Sequence, residues 1–245
     1  MHDVIRLLRA HRSIRRFQQR PVPPELVEEL VRAGQAASTS SFIQACTLIQ
    51  VNDPADRERL AEYAGGQSCV ATAPLFLVFC ADMQRHRLAC DMNGVEMLSG
   101  YTEQFITATV DCALLAQNLM VAAEAVGLGG VYIGGIRNRI AAVAELLALP
   151  ELVYPVFGMC LGWPDQDPEI KPRLPLEVVL KQDRYDDSGD RGRIAGYDRV
   201  VEQYYANRLG SDKRTTWSRQ MAGMLEKEAR PHMLPFLRER GFLLK

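Results

Sequence analysis

The chain has 245 residues, 47% hydrophobic and 24% charged, with a formal net charge of -1 at pH 7. This is ordinary globular composition with room for a sizeable core. Near-neutrality excludes a protein-wide field for nucleic acid or an anionic membrane, so any anion must be held by local clusters.

Asp3 is read as the N-cap of a short helix over 3–10, with Val4, Ile5, Leu7 and Leu8 as its apolar stripe. The basic septet His11-Arg12-Ser13-Ile14-Arg15-Arg16-Phe17 follows. A guanidinium presents a planar fork of donors that suits phosphate oxygens, and Arg12 and Arg15 with Ser13 between them can converge on one dianion. A solvated basic patch at a helix end fits the same spacing.

After Pro21, Pro23 and Pro24, the residues Leu26, Val27, Leu30 and Val31 predict a second helix. The stretch Ala36-Ala37-Ser38-Thr39-Ser40-Ser41-Phe42 is either a solvated helix end or a loop whose hydroxyls and N–H groups bind a polar ligand under Phe42. A strand is expected over 47–51, and an exposed helix over 54–64, stopped by Gly65-Gly66 and followed by Gln67. Residues 75–82 form an unbroken apolar run and predict a strand buried on both faces. Residues 84–100 are read as helical. The segment 102–126 is apolar almost all round, as expected of a helix covered by a domain or dimer core.

Gly127-Leu128-Gly129-Gly130-Val131-Tyr132-Ile133-Gly134-Gly135 fails the dinucleotide fingerprint. Its sixth position is Tyr132 and a helix, not a strand, precedes it. The first glycines are better read as a helix stop. Gly134 and Gly135 allow the backbone to approach a flat ligand closely. Another helix is expected over 140–149, closed by Pro150, then a strand over 153–161, ended by Gly162-Trp163-Pro164. Lys171-Pro172-Arg173-Leu174-Pro175 is a second basic cluster, with its spacing fixed by proline. From about 196 the tail is helical and polar, with Tyr197, Tyr204, Tyr205 and Trp217 as anchors.

The six cysteines form no C-x-x-C pair, which fits a reduced cytoplasmic setting better than a disulfide framework or a zinc site. Arg6, Arg9, Arg12 and Arg15 interrupt any apolar leader, and no transmembrane span is expected. The four histidines show no metal-ligand spacing, and neither H-E-x-x-H nor G-x-S-x-G occurs. Two arginine-rich clips, a hydroxyl loop and a glycine-lined strand end suit a flat, phosphate-bearing cofactor that carries the chemistry itself.

The septet, the Ala36–Phe42 loop, Gly65-Gly66-Gln67, Gly129–Gly135, Leu161-Gly162-Trp163-Pro164, Lys171–Pro175 and Thr216-Trp217-Ser218 occur in this order over nearly the whole chain. Together they resemble the oxygen-insensitive NADPH nitroreductase / NADPH-flavin oxidoreductase family, in its major-nitroreductase subgroup. The resemblance implies an α+β, nitroreductase-like FMN-binding fold. In it a central, mostly antiparallel sheet is surrounded by helices in an intertwined homodimer. An FMN-binding core over 1–195 and a C-terminal helical extension over 196–245, serving NADPH and substrate, would form one structural unit.

The resemblance assigns non-covalent FMN contacts to His11, Arg12, Ser13, Arg15, Gln67, Tyr132, Ile133, Gly134, Gly135, Lys171 and Arg173. Ser38, Thr39, Ser40 and Phe42 would come from the partner subunit. Arg208 and Lys213 are implied for NADPH, and Ser40, Phe42, Lys227 and Arg230 for substrate. Lys171 would lend electrostatic support, with no protein acid or base required and no metal. The segment Cys90–Glu103 departs from the pattern by a few extra residues. The implied activity is ping-pong, two-electron reduction of nitroaromatics, quinones or free flavin by NADPH. Supply of reduced FMN, reduction of disulfides or of metal oxyanions such as chromate, and non-enzymatic flavin sensing or storage are the other readings. Neither nucleic acid nor membrane is expected as a partner.

Overall fold

The computed structural model describes residues 2–207 and 214–245. In chain order the elements are α1 (Asp3–Arg9), α2 (Pro24–Gln35), β1 (Cys46–Gln50), α3 (Pro54–Tyr63), α4 (Ser68–Thr72), β2 (Leu75–Asp82), α5 (Gln84–Met92) and α6 (Thr102–Ala125). They continue with β3 (Gly129–Ile133), α7 (Ile140–Leu146), β4 (Val153–Gly162), α8 (Leu176–Val179), α9 (Asp190–Asn207), α10 (Trp217–Leu225) and α11 (Met233–Glu239). Short 3-10 turns occupy Ser40–Phe42 and Gly134–Arg139.

Two compact units divide the chain: residues 1–168 with 232–245, and residues 169–231. In the first, four strands form one sheet in the order β1-β2-β4-β3, every pair antiparallel. β2 is buried at every position and β4 at all but Phe157, as expected for central strands covered on both faces. α6 lies against all four strands and against α2. By length and apolarity α6 would reach across a bilayer. Its sheet-facing side instead buries Ala108, Cys112, Leu115, Ala116, Leu119, Met120 and Ala123 in the core. Residues 232–245 return to this unit, where Leu152 N–H donates to Arg240 O and Leu244 N–H donates to Gly100 O.

Among the exposed apolar side chains, two sets line one face of a helix. Val4, Ile5 and Leu8 of α1 are each almost half exposed, and α1 buries no residue at all. Ile106, Val110 and Leu114 form a stripe at i, i+4, i+8 along α6.

The second unit is organised around tyrosines. Tyr197, Val201 and Tyr205 of α9 form a small core with Leu174, Tyr204 and Trp217 against it. Tyr197 donates its hydroxyl to Pro172 O at 2.8 Å. Ser218 N–H donates to Asp198 Oδ1 at 2.9 Å, tying α10 to α9. Position 195 lies inside α9.

Several local expectations need correction. His2, not Asp3, caps α1: its Nδ1 accepts from Val4 N, and Asp3 is the first helical residue. Helix α5 ends at Met92 rather than near residue 100, because Gly94 takes a φ of +65° and returns the chain. Helix α7 stops at Leu146, before the expected 149, and Ala148 already has a φ of +49°. The 54–64 helix is not simply exposed, since Leu60 and Ala61 are buried.

Candidate functional site

The basic septet is drawn into the sheet edge. Ser13 forms a parallel bridge with Gly130 of β3, and Ile14 N–H donates to Gly130 O at 2.9 Å. Phe17 bridges to Pro164 and is buried. Ile14 and Phe17 therefore anchor the segment, and the residues between them face outward. Arg16 is exposed and contributes main chain only: its N–H donates to Gln166 Oε1, and its carbonyl accepts from Asp165 N–H.

The nitrogen-bearing side chains of the septet have different environments. His11 Nδ1 is 2.6 Å from Glu124 Oε1 at the end of α6. Arg12 pairs with Asp167 and also donates to Pro168 O at 3.4 Å. Arg15 and the Ser13 hydroxyl have no hydrogen-bond or ion-pair partner among the described residues. The Arg15 charge acts on the thiols of Cys69 and Cys160, favouring their ionised forms.

Gln67 stands at the other end of β3, where it meets Gly135. The Gly65-Gly66 turn, with φ values of +86° and +76°, ends α3 and presents Gln67 as the N-cap residue of α4. Gln67 Nε2 donates to Ala64 O at 3.0 Å. A Cβ on Gly135 would lie 2.4 Å from both Ala64 O and Gln67 Nε2. The close approach that requires this glycine is thus made to the protein itself. Ile133 is fully buried, so it can offer a ligand only main chain. Tyr132 packs edge-on against Phe157 with ring centroids 5.3 Å apart and donates to Gln117 Oε1 at 3.3 Å. Burial and the nearby Glu124 charge push the Tyr132 phenol up to about 12. Gly134 sits against the Arg137 guanidinium.

His11, Arg12, Ser13 and Arg15 thus meet β3 at its first residues, and Gln67 meets Gly135 just past its last, with Tyr132 and Ile133 on the strand between. The hydroxyl loop lies elsewhere. It precedes β1, the edge strand on the other side of the sheet from β3 and the septet. With strands spaced by about 4.8 Å, four spacings put roughly 19 Å between the loop's edge and the septet's. Ser38 and Ser40 are exposed, Thr39 is half-buried and Phe42 is 81% exposed. Ser41, Phe42 and Gln44 all take positive φ, of 50°, 58° and 54°. Strain of this kind needs support. His86 Nε2 supplies it, 2.6 Å from Ile43 O, and Arg85 donates to Gln44 O and Cys46 O. Asp111, 2% exposed, accepts from Ala45 N–H at 2.8 Å.

Lys171, Arg173, Lys227 and Arg230 belong to the second unit. There Lys171 lies 5.5 Å over the Tyr205 ring, and the Arg173 charge acts on Tyr197. Lys227 is exposed, with Glu226 4.0 Å away, and Arg230 has a φ of +58°. Arg208 and Lys213 lie outside the described residues.

Three residues of the site were not singled out from the sequence. Glu124 and Asp167 hold His11 and Arg12, and Cys69 stands beside Arg15. One signal was available. An acid in the last turn of a helix opposes the macrodipole and calls for a cation partner, as Glu124 does.

Residues 8–163 match the sequence profile of the Nitroreductase family, and residues 171–245 match that of the Nitroreductase family, C-terminal domain. The chain belongs to the nitroreductase family. It is 44% identical over 241 residues to an NADPH-flavin oxidoreductase of Vibrio harveyi, covering 98% of each chain. It is also 44% identical over 242 residues to an oxygen-insensitive NADPH nitroreductase of Salmonella typhimurium, covering 99% of each. The crystal structure of nitroreductase A from Vibrio parahaemolyticus superposes with a TM-score of 0.93 at 44% identity, covering the whole of both chains. The nitroreductase fold expected from the sequence motifs, with its antiparallel sheet surrounded by helices, is the fold observed.

The donor set fits a flavin mononucleotide. Ser13 Oγ and the unpaired Arg15 guanidinium suit phosphate and ribityl oxygens, and the Gln67 amide suits the polar edge of a flat ring. The two acids beside the septet, Glu124 and Asp167, are each already engaged, by His11 and Arg12.

Proposed function

We propose that this chain is an FMN-dependent oxidoreductase that takes electrons from NADPH and reduces nitroaromatics, quinones or free flavin by two electrons, with donor and acceptor alternating at one site. The observation that carries this reading is the Arg15–Ser13 pair, without partners among the described residues and held on the β3 edge at Gly130, in a family whose similar members act on NADPH and flavin. When bound, FMN supplies the hydride chemistry.

The chain's own part is binding, orientation and charge. Arg12, Arg15 and Ser13 would hold the phosphate end. His11 is fixed by Glu124, so its ring is presented in one orientation. Gln67, stapled to Ala64 O, would set the height of the ring over β3. Lys171 and Arg173 would add positive charge, and Lys227 and Arg230 would line the approach of the acceptor. Arg208 and Lys213 are proposed for NADPH.

The loop geometry supports a homodimer in this reading. Within one chain the hydroxyl loop and the septet occupy opposite sheet edges. Ser38, Thr39, Ser40 and Phe42 would therefore reach the flavin of the partner subunit. The uncovered stripes of α1 and α6 are the surfaces that a second copy would bury. A reducing cytoplasmic setting is consistent with six free thiols.

The deciding experiment is the visible spectrum of purified protein, followed by NADPH oxidation with and without a nitrofuran, a quinone or added FMN. A flavin band and acceptor-dependent turnover are expected. A colourless protein that takes up no FMN would overturn the proposal. A yellow protein with no acceptor-dependent turnover would point to a flavin-storage role. For NADPH, Arg208→Ala should raise the KM for NADPH far more than that for NADH.

A further inference from the structure

Five of the six cysteines are buried, and they fall into two groups of different character. Cys46, Cys80 and Cys112 share one region of the core. There Cys112 hydrogen-bonds to Cys46, and burial and the Asp82 and Asp111 charges hold Cys80 and Cys112 as neutral thiols. Cys69 and Cys160 lie elsewhere, where α4 meets β4. The Cys160 thiol donates to Cys69 O at 3.3 Å, which brings the side chain of one cysteine onto the main chain of the other.

The surroundings of this second pair are cationic. Arg15 projects its charge onto both sulfurs. Arg57, half-buried and clamped to Val70 O at 2.8–2.9 Å, faces Cys160 from below α4. Cys69 is 5% exposed and Cys160 fully buried, so a small reagent meets Cys69 first. The hydrogen bond from Cys160 is the largest influence lowering the Cys69 thiol to about 7, with Arg15 adding to it, whereas Cys160 is pushed up. Cys69 is thus the more readily ionised of the two sulfurs and Cys160 the one that holds its proton, as needed for an attacking and a resolving thiol.

We propose that Cys69 and Cys160 are a redox modification site that closes to a disulfide when a hydroperoxide oxidises it. The Cys69 thiolate attacks the peroxide O–O bond. A sulfenic acid forms on Cys69, and hydroxide or alkoxide leaves. The Cys160 sulfur then displaces the sulfenic hydroxyl, which takes up the Cys160 proton and departs as water. The dithiol has lost two electrons and the peroxide has gained them. The Cys160 sulfur already lies 3.3 Å from the Cys69 carbonyl oxygen, and closure brings the two sulfurs to bonding distance, about 2.0 Å. Cys69 lies two residues after Gln67, so the bridge would also pull on the element that presents Gln67.

The test treats pre-reduced, full-length protein with hydrogen peroxide at a few equivalents. Free thiols are then alkylated and a non-reduced digest is mapped by mass spectrometry. Two of six thiols should disappear, in a single cross-linked peptide pair joining Cys69 to Cys160 and two hydrogens lighter than its parts. Dithiothreitol should restore both. In Cys160→Ser the same treatment should leave a sulfenic acid at Cys69 that dimedone captures. Three outcomes would overturn the proposal: six thiols surviving, loss confined to the half-buried Cys90, or a bridge between any other pair. The wild-type map decides even if a variant fails to fold.

Discussion

His11 and Glu124, 113 residues apart in sequence, are joined at 2.6 Å between Nδ1 and Oε1. The contact fastens the first residue of the basic septet to the last turn of the longest helix. The Glu124 side chain is only 11% exposed and the His11 side chain 27%. Glu124→Ala should cost about 1–2 kcal/mol, in the range for a partly buried hydrogen bond to a charged group. Thermal unfolding should shift down by about 3–6 °C for a chain of this size. Glu124→Gln should lose less, and in both variants the Tyr132 phenol, raised by burial and by Glu124, should ionise at lower pH in a tyrosinate absorbance titration.

Arg12 is occupied by Asp167, an acid whose side chain is 84% exposed. A ligand phosphate competes with that pairing. Exposed pairs are worth about 0.2–1 kcal/mol, so Asp167→Asn should tighten FMN binding by at most about fivefold. Flavin fluorescence quenching measures it. Weaker binding in Asp167→Asn would show that Asp167 orders Arg12 rather than competing for it.

Gly135→Ala places a methyl group 2.4 Å from Gln67 Nε2 and Ala64 O. The backbone oxygen cannot yield, so Gln67 and the turn before it must move. A destabilisation of about 1–3 kcal/mol is expected from overpacking. FMN retention should fall further than the denaturation midpoint alone explains, measured as flavin per chain after gel filtration.

Reactivity at Cys69 should follow pH in a defined direction. Its thiol is lowered to about 7, first by Cys160 and then by Arg15. The thiolate is the reacting form, so alkylation at Cys69 should accelerate as pH rises through about 7 and level off above 8. Arg15→Ala should move the midpoint upward. Peptide-resolved iodoacetamide labelling reads both. Cys80 and Cys112, held neutral by burial and nearby acids, should stay unlabelled over the same range.

The α6 stripe offers a direct test of assembly. Val110 is 48% exposed between Ile106 and Leu114. A charge there stays solvated in a lone chain but is costly in an apolar interface. Val110→Glu should convert a species of about twice 27.4 kDa into one of 27.4 kDa by light scattering, with loss of bound flavin. A wild-type monomer that holds FMN would refute the two-chain site.

Elements whose physics is local were legible from the sequence. The apolar run 75–82 is β2 to the residue, and the long periodic segment is α6 within one residue of its expected end. Where tertiary contacts decide, the reading fell short. His2 outcompeted Asp3 as a cap, and Gly94 returned the chain well before residue 100. In the site, arginine spacing marked the septet, but nothing local says that Asp167 occupies Arg12 or that Cys69 meets Cys160 across 91 residues. Gly134-Gly135 suggested close approach by a ligand, yet at Gly135 the approaching group is the chain's own Ala64 carbonyl.

The sheet order β1-β2-β4-β3 has a genetic consequence. Each proposed site takes the β3 edge from one chain and the β1 loop from the other. Two inactive alleles, one lacking Arg15 and the other the Ser38–Phe42 loop, are then not equivalent lesions. Random pairing makes half the dimers mixed, and each mixed dimer rebuilds one intact site and concentrates both defects in the other. Co-expression should restore about a quarter of wild-type activity, an intersubunit complementation that no pair of lesions on the same edge can produce.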